Sequence, residues 1–349
     1  MNETKEWVSV VLPVFNTEKY IVECLSALKN QTYKYIDLFI VDDGSTDNTR
    51  AVIDDFINKF GIKNWVVIST SNEGVSNARN IALDQIDRSK KKYKYIYFSD
   101  SDDFISKDAI EYAVYAIKKY KSESCYFNIV RFNKENFREA YTRSEMEKKQ
   151  HLNYIVLEGD EIITQYLKLE KKWKHHPSSD CFLNNKLFLI DIINGLRFDC
   201  QLKRSNDFDF FLRLLPEVKK VVIINKGTYF YRLRKSSISS RVALYGDFTA
   251  CQKCFANSER YSEKQLSGIL TRMIRAVYLD AEYYIINEEF DKFEEEREVI
   301  NRIIGNYLKI TKYDKYLYII KAPRLFVEIY FKVRHFFKKN KLLSEKYYE

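Results

Sequence analysis

Glycine and proline are scarce in this chain, with 9 glycines and 4 prolines among 349 residues. Domains rich in tight turns, such as β-sandwiches, and low-complexity linkers normally contain more of both. Both glycine-rich phosphate-binding patterns are missing, since the sequence has no G-x-G-x-x-G and no G-x-x-x-x-G-K-[ST]. Any bound phosphate therefore has to be held without a glycine loop. The length of 349 residues predicts one large domain with an extension, or two domains.

The sequence also lacks the patterns of metal-binding cysteines and of membrane targeting. Its six cysteines are scattered, and only Cys251 and Cys254 lie close together, without the second pair or nearby histidines that zinc needs. Residues 1–7 show no basic segment followed by an apolar one, as a secretory signal would. No stretch is long and apolar enough to span a bilayer. These absences predict a reducing, cytoplasmic setting.

Positive charge is concentrated near the end of the chain. The net charge is +9, and residues 312–346 hold ten Lys and Arg against three acidic residues. The remaining body is near neutral, which argues against nucleic acid as a partner. A helix is predicted to begin at Pro323 and to be amphipathic. Its apolar face comprises Phe326, Ile329, Tyr330, Val333 and Phe337. We expect this basic tail either to lie on an anionic membrane surface or to pack on the rest of the protein.

Strands and helices alternate through the first hundred residues. Apolar runs predict strands at 8–12, 36–41, 65–69 and 95–98, and helical spacing predicts helices at 20–29, 49–60 and 78–86. Pro13 has no N–H to donate and is expected to end the first strand. This alternation indicates a wound α/β sheet, and each of the four strands is followed by polar residues that should meet at one edge.

The most acidic of these strand ends is at residues 100–103, where Asp100, Asp102 and Asp103 follow an aromatic strand. Such carboxylates repel one another unless a cation or proton lies between them, and a hard divalent ion suits this position. The alternative is an acidic turn in which Asp103 or Ser106 caps the next helix.

Four motifs now stand in order along the chain. They are Val-Val-Leu-Pro-Val-Phe-Asn at 10–16, Val-Asp-Asp-Gly-Ser-Thr-Asp at 41–47, Asn-Glu-Gly-Val-Ser-Asn-Ala-Arg-Asn at 72–80 and Asp-Ser-Asp-Asp at 100–103. Because the four motifs occur in this order and at this spacing, the chain resembles the family 2 inverting glycosyltransferases of the GT-A fold over roughly residues 7–240.

The resemblance implies an α/β fold of the GT-A type, with a Rossmann-like wound, mostly parallel sheet and a helical C-terminal extension. The catalytic domain would span residues 1–245, with a nucleotide-binding half at about 1–110 and an acceptor half at about 111–245. Residues 246–349 would form a helical region that ends in the basic amphipathic tail.

The resemblance also implies which residues contact a UDP-sugar donor. Phe15 is expected to lie against the nucleotide base, and the Asp43 carboxylate to accept a hydrogen bond from uracil N3–H. Arg79, with Asn72 and Gly74 near it, would flank the base from the other side. The full set is Pro13, Phe15, Asn16, Asp43, Asn72, Gly74, Arg79, Asp100, Ser101 and Arg232.

A metal site follows from the same resemblance. Asp102, the second acidic residue of the D-x-D pattern, is expected to ligate Mn²⁺ or Mg²⁺ between the two phosphates. Asp100 would lie near the ribose or a metal-bound water and is the second candidate ligand.

The general base is expected in a second acidic segment at 206–209. Similar enzymes carry a Glu-Asp pair there, and Asp207 matches the Asp that acts as the base, whereas Asn206 replaces the Glu. Asp207 lies at the predicted start of a helix, where the helix dipole stabilises a negative charge. Asp209 is the rival, but two residues along a helix rotate a side chain by about 200°, so both cannot face one cleft.

A further strand is predicted at 221–225, and the tyrosine-arginine segment that follows it at 229–239 ends in Ser-Ile-Ser, as in similar enzymes. Arg232 or Arg234 is expected to neutralise the leaving diphosphate once this segment folds over the site, because a guanidinium suits phosphate geometry. The alternative is a basic loop in solvent.

Together these features predict a metal-dependent inverting glycosyltransferase that is peripheral on the inner face of the membrane. Its donor would be a UDP-sugar and its acceptor a glycan or polyprenyl-linked glycan in bacterial surface-polysaccharide synthesis. The alternatives are a nucleotidyltransferase and a catalytically silent, membrane-associated scaffold of the same fold. The donated sugar, the linkage and the oligomeric state are not determined by the sequence.

Overall fold

A computed structural model describes residues 5–133, 152–167, 182–202, 204–234 and 245–307, together with 321, 322, 326, 327, 330 and 332. The chain divides into two compact units, residues 1–237 and 238–349. The predicted domain boundary at residue 245, and the division of the catalytic domain into donor and acceptor halves, stay predictions.

The first unit is a mixed α/β structure in its described part. Its strands are β1 (Trp7–Val14), β2 (Ile36–Asp42), β3 (Val66–Ser69), β4 (Tyr93–Phe98), β5 (Phe104–Ile105), β6 (Ser124–Phe132), β7 (Tyr154–Glu158), β8 (Lys186–Leu189) and β9 (Lys220–Arg232). Its helices are α1 (Ile21–Lys29), α2 (Thr49–Phe60), α3 (Val75–Arg88), α4 (Ala109–Tyr120), α5 (Asp160–Tyr166) and α6 (Asn206–Leu214).

The strands form one sheet in the order β3-β2-β1-β4-β8-β6-β9-β5, with β7 paired to β9. Strands β1 to β4 pair in parallel, β8 runs antiparallel to β4, and β6 and β9 are again parallel to each other. Strands β1 and β2 are buried along nearly their whole length, as expected for apolar, β-branched strands covered on both faces. The parallel arrangement brings the loops after β1, β2, β3 and β4 to one edge.

The expectation that Pro13 ends the first strand is wrong, because β1 continues to Val14 and Pro13 pairs with Val41 of β2. The carbonyl of Val14 accepts from Asp43 of the β2 side, whereas that of Val11 accepts from Ser99 of the β4 side. In a parallel strand alternate residues bond to opposite neighbours, so Pro13 faces the β4 side. Strand β4 has already ended there at Phe98, and no ladder bond needs the missing N–H.

The strand predicted at 221–225 is longer than expected, because β9 extends to Arg232 and includes the first part of the tyrosine-arginine segment. Its second half pairs with β5, where Phe104 opposes Phe230 and the two rings stack at 4.6 Å. Tyr229 and Phe230 are fully buried, so these aromatic side chains hold the segment in the sheet. Residues 235–239, which include Ser-Ile-Ser, lie outside the described residues.

The second unit is helical in its described part, with α7 (Tyr245–Ala256), α8 (Glu263–Ile286) and α9 (Phe290–Tyr307). Cys251 and Cys254 are buried on α7, and the described residues contain no cluster of three metal-binding side chains. None of the described helices combines the length and apolar character needed to cross a bilayer. Most of the predicted basic tail lies outside the described residues, although Phe326 and Tyr330 of its apolar face are exposed.

A buried carboxyl group in the second unit gives a prediction about stability and pH. Burial, together with the charge of Asp280 on α8, raises the pKa of Glu296 on α9 from 4.5 to about 8. Between pH 4.5 and about 8, the folded protein keeps a proton on Glu296 that the unfolded chain has already released. Stability therefore falls as pH rises through this range. We expect Glu296→Gln to remove much of that fall. Thermal unfolding measured from about pH 5 to 8 checks this, and equal slopes for the two proteins would contradict it.

Candidate active site

The loops after β2 and β3 are joined by the carboxylate of Asp43. Its two oxygens accept from the backbone N–H groups of Glu73 (2.9 Å) and Gly74 (2.8 Å). Gly44 lies against the same loop with φ +72°, and a Cβ there would lie 3.0 Å from the backbone nitrogen of Asn72. Each Asp43 oxygen keeps a second lone pair that can accept a further hydrogen bond. The predicted hydrogen bond from uracil N3–H stays a prediction.

The loop after β1 presents an open aromatic face. Phe15 is 42% exposed. Asn16 adopts a left-handed backbone conformation at φ +50° and fixes the turn through Thr46, whose backbone N–H it accepts at 2.8 Å. The ring is therefore free for stacking while the backbone beneath it is held.

The other predicted donor residues differ in exposure. Pro13 and Ser101 are buried, whereas Asn72 is exposed. Gly74 precedes α3 with φ +97°, a conformation that favours glycine. Their contacts with a donor stay predictions.

Asp100 lies at the centre of a polar cluster after β4. Its Oδ1 accepts from Arg79 Nη2 at 3.1 Å, and its Oδ2 accepts from Asn184 Nδ2 at 2.6 Å. Burial raises the pKa of Asp100 to about 6; Arg79 acts against this rise, and the charges of Asp207 and Asp102 add to it. Strong perturbation at the mouth of a sheet is typical of a functional group.

Arg79 connects this cluster to the predicted base. It is 4% exposed, and its Nη1 donates to Asp207 Oδ1 at 2.5 Å while its Nη2 reaches Asp100. The guanidinium also lies 5.0 Å from the Phe198 ring centre, which adds a cation–π contact. The backbone N–H of Leu183 contacts the other oxygen of Asp207 at 3.4 Å. Two carboxylates far apart in sequence thus share one cation. The predicted contact of Arg79 with the nucleotide base stays a prediction.

The two candidate bases have different surroundings. Asp207 keeps 16% of its side chain exposed at the start of α6. Asp209 is fully buried and pairs with Arg213, one turn along the helix, at 2.5 Å. Both carboxylates are in ion pairs, but only Asp207 keeps exposed surface through which an acceptor hydroxyl can reach it, so the geometry favours Asp207.

Asp103 is a structural anchor of this site. Its Oδ2 accepts from the Tyr229 hydroxyl, and its Oδ1 accepts from the backbone N–H of Arg232 at 2.7 Å. Burial, with the charges of Asp102 and Asp100, raises the pKa of Asp103 well above its usual value. The alternative in which Asp103 or Ser106 caps the next helix is wrong, because the residue before α4 is Asp108.

Arg232 and Arg234 both lie against the acidic loop. Arg232 Nε donates to the backbone carbonyl of Asp102 at 2.8 Å, and its guanidinium also pairs with Glu23. Arg234 forms an ion pair with the Asp102 carboxylate. The predicted role of these arginines at a leaving diphosphate stays a prediction, but neither is a loop side chain in open solvent.

The residues present fit a divalent cation that is coordinated partly by carboxylates of the protein and mainly by the bound nucleotide and water. The carboxylates after β4 are hard oxygen donors, and Asp102 already binds a cation, the Arg234 guanidinium. The described residues offer no cluster of three metal-binding side chains, so phosphate oxygens and water would complete the coordination. Mg²⁺ sites built from one or two carboxylates and substrate phosphates have this form.

The ion pair of Arg234 with Asp102 gives a prediction about metal binding. We expect Arg234→Gln to bind Mn²⁺ more tightly than the wild type without nucleotide, because the guanidinium no longer competes for the carboxylate. Mn²⁺ titration followed by electron paramagnetic resonance measures this. Arg50→Gln is the matched control, since Arg50 pairs with Asp54 on an exposed helix surface. Equal Mn²⁺ affinity in Arg234→Gln and wild type would contradict the competition.

Sequence reasoning missed two polar members of the cluster, Asn184 and Glu23. Asn184 reaches Asp100 across 84 residues, and Glu23 reaches Arg232 across 209. No local pattern marks either residue, because each acquires its role only when the sheet forms.

Comparison with known proteins gives the family. The model of glycosyl transferase family 2 matches residues 9–194. The glycosyltransferase GlyG of Streptococcus pneumoniae is 27% identical over 242 residues, which are 67% of this chain and 73% of GlyG. The minor teichoic acid biosynthesis protein GgaA of Bacillus subtilis is 24% identical over 337 residues, 94% of this chain and 66% of GgaA.

A solved structure agrees with the sheet described above. Residues 1–349 of TarS from Staphylococcus aureus, solved with UDP-GlcNAc, superpose with a TM-score of 0.61 at 19% identity. The match covers 88% of this chain and 82% of that one. It confirms the predicted GT-A fold. This chain belongs to the family 2 glycosyltransferases.

Proposed function

We propose that the protein is a metal-dependent, inverting hexosyl- or N-acetylhexosaminyl-transferase that uses a UDP-sugar. The acceptor is a hydroxyl of a glycan or polyprenyl-linked glycan in bacterial surface-polysaccharide synthesis. One observation carries the proposal: Arg79 joins Asp100, beside the predicted donor site, to Asp207, the predicted base. The complex of TarS with UDP-GlcNAc supports a UDP-sugar donor, and the relationship to GgaA supports a cell-surface polymer.

In the proposed reaction, Asp207 accepts the proton of the acceptor hydroxyl as its oxygen attacks the anomeric carbon. The attack comes from the face opposite UDP, the bond from the anomeric carbon to the diphosphate oxygen breaks, and the configuration inverts. Arg79 holds one oxygen of Asp207, which leaves the other oriented by Leu183 N–H. The base is thereby kept at a defined position relative to the donor.

The charge that develops on the leaving diphosphate needs positive partners. Asp102, with Asp100 as the second carboxylate, would hold Mn²⁺ or Mg²⁺, which supplies Lewis-acid stabilisation of that charge. Arg232 and Arg234 lie beside the same loop and supply two guanidinium groups. A guanidinium can donate two parallel hydrogen bonds to phosphate oxygens.

UDP release from a panel of UDP-sugars, with Mn²⁺ and with EDTA, tests this function. We expect release from at least one UDP-sugar with Mn²⁺ and almost none with EDTA, and a transferred sugar with inverted anomeric configuration by NMR. A nucleotidyltransferase would instead release pyrophosphate, and its usual glycine- and lysine-bearing first loop is not present at Pro13–Asn16. A silent scaffold would release nothing from any donor.

We also propose that the basic tail places the enzyme on the inner face of the membrane. Basic residues near an anionic surface each contribute about 1 kcal/mol, and residues 312–346 carry ten of them. Removal of the residues after Ala322 is therefore expected to release the protein from anionic vesicles. Sedimentation with anionic and neutral vesicles measures this, and equal sedimentation of full-length and truncated protein would contradict it.

A further inference from the structure

Two neighbouring residues before β8 reach both carboxylates of the cluster. The backbone N–H of Leu183 contacts Asp207, and the side chain of Asn184 contacts Asp100. Arg79 spans the same two carboxylates from α3. Asp100 and Asp207 are therefore held together by Arg79 and by the Leu183–Asn184 pair.

Asn184 uses its amide nitrogen for this contact. Its Nδ2 donates to Asp100 Oδ2 at 2.6 Å and to the Tyr229 hydroxyl at 2.7 Å. Asn184 is 2% exposed, so water does not compete for these hydrogen bonds. Because Arg79 takes the other oxygen of Asp100, the carboxylate is bound at both oxygens and its plane is fixed.

The backbone around Asn184 is anchored independently of the carboxylates. The Tyr97 hydroxyl donates to the Asn184 carbonyl at 2.6 Å. Lys186, which is fully buried, donates to the Phe182 carbonyl at 2.5 Å and to Asn185 Oδ1 at 2.7 Å. These contacts anchor the backbone from which the Asn184 side chain extends.

A chain of hydrogen bonds runs through Asn184 from one side of the site to the other. The Tyr229 hydroxyl accepts from Asn184 and donates to Asp103. On the other side, Asp100 is linked through Arg79 to Asp207. The orientation of Asp100 thus couples the loop after β4 to the predicted base.

We propose that Asn184 is a positioning residue for sugar transfer. It fixes the Asp100 carboxylate in the orientation from which Arg79 can bind Asp100 and Asp207 together, and so sets the position of the base relative to the donor. The proposal rests on the proposed function of Asp207. It assigns Asn184 no contact with the reacting atoms.

The replacements Asn184→Ala and Asn184→Asp separate this role from simple packing. Aspartate has the shape of asparagine but presents an oxygen to Asp100 where the amide donated. We expect both variants to lower kcat by roughly 10²-fold, the loss that misplacement of catalytic groups by about 1 Å can cause, with little change in UDP affinity for Asn184→Ala. A packing role would instead make Asn184→Asp the milder change, with its activity tracking its melting temperature.

Asn64→Asp is the matched control. Asn64 also donates its Nδ2 to a buried carboxylate, Asp37, at 2.7 Å, but at the start of β2, at the opposite edge of the sheet from the cluster. We expect this variant to lose stability in the manner of Asn184→Asp and to keep the wild-type kcat.

A double-mutant cycle with Asp207→Asn completes the test. If Asn184 acts through Asp207, adding Asn184→Ala to Asp207→Asn lowers kcat little further. Multiplicative losses, or wild-type kcat in both Asn184 variants, would overturn the proposal. A wild-type protein that releases no UDP under any condition would overturn the proposed function instead, so the two failures are distinguishable.

Discussion

Asp207→Asn is expected to lower kcat for sugar transfer by roughly 10²–10⁴, the usual effect of losing a general base. The asparagine keeps the shape of the side chain but cannot accept the proton of the acceptor hydroxyl. UDP affinity should change little, because Asp207 lies at the start of α6 and is not among the residues predicted to contact the donor. Steady-state kinetics and UDP titration by calorimetry measure the two effects separately.

Asp209→Asn serves as the matched control for this prediction. Asp209 is fully buried and paired with Arg213, so its replacement is expected to lower the melting temperature while kcat stays near the wild-type value. A normal kcat in Asp207→Asn together with an inactive, folded Asp209→Asn would move the base to Asp209.

The second large effect is expected at Asp102. We expect Asp102→Asn to lower kcat by about 10²–10³, as the loss of a group that stabilises transition-state charge does. The dependence of UDP binding on Mn²⁺ should also largely disappear, because the amide is a much weaker cation ligand than the carboxylate. UDP titrations with Mn²⁺ and with EDTA, on both proteins, measure this directly.

A nearby carboxylate provides the control for Asp102. Asp108 precedes α4 and accepts from Ser106, away from the hydrogen bonds of the acidic cluster. Asp108→Asn should keep the Mn²⁺ dependence of the wild type. If Asp102→Asn kept it as well, the cation would have to be held by other residues.

Much of the fold follows from local patterns in the sequence. The helix predicted at 49–60 is α2, and the apolar runs at 36–41 and 95–98 lie in β2 and β4. These predictions succeed because apolar periodicity and strand propensity act over a few residues. The family motifs also identify the loops that follow β1 to β4.

The predictions that failed depend on pairing between distant segments. Pro13 is tolerated inside β1 because the strand on its N–H side has ended, which only the sheet order reveals. The length of β9 depends on the packing of Phe230 against Phe104, more than a hundred residues away. Neither feature has a signal in its own stretch of sequence.

The candidate site shows the same division. Motifs mark Asp100, Asp102 and Asp207 as acidic residues at strand and helix ends, and the fold brings Asp100 and Asp207 to the same guanidinium. The link itself depends on Arg79 and Asn184, whose partners lie 128 and 84 residues away. Side-chain contacts over such separations are set by the tertiary fold and not by local pattern.

A crystal structure with UDP and Mn²⁺ tests most directly whether the acidic loop after β4 is a metal-diphosphate site. We predict Mn²⁺ on the carboxylate of Asp102, the diphosphate bound to the ion, and the Arg234 guanidinium moved from Asp102 toward the phosphates. Mn²⁺ bound elsewhere, or UDP bound with the ion pair of Arg234 and Asp102 unchanged, would contradict the proposed metal-dependent glycosyl transfer.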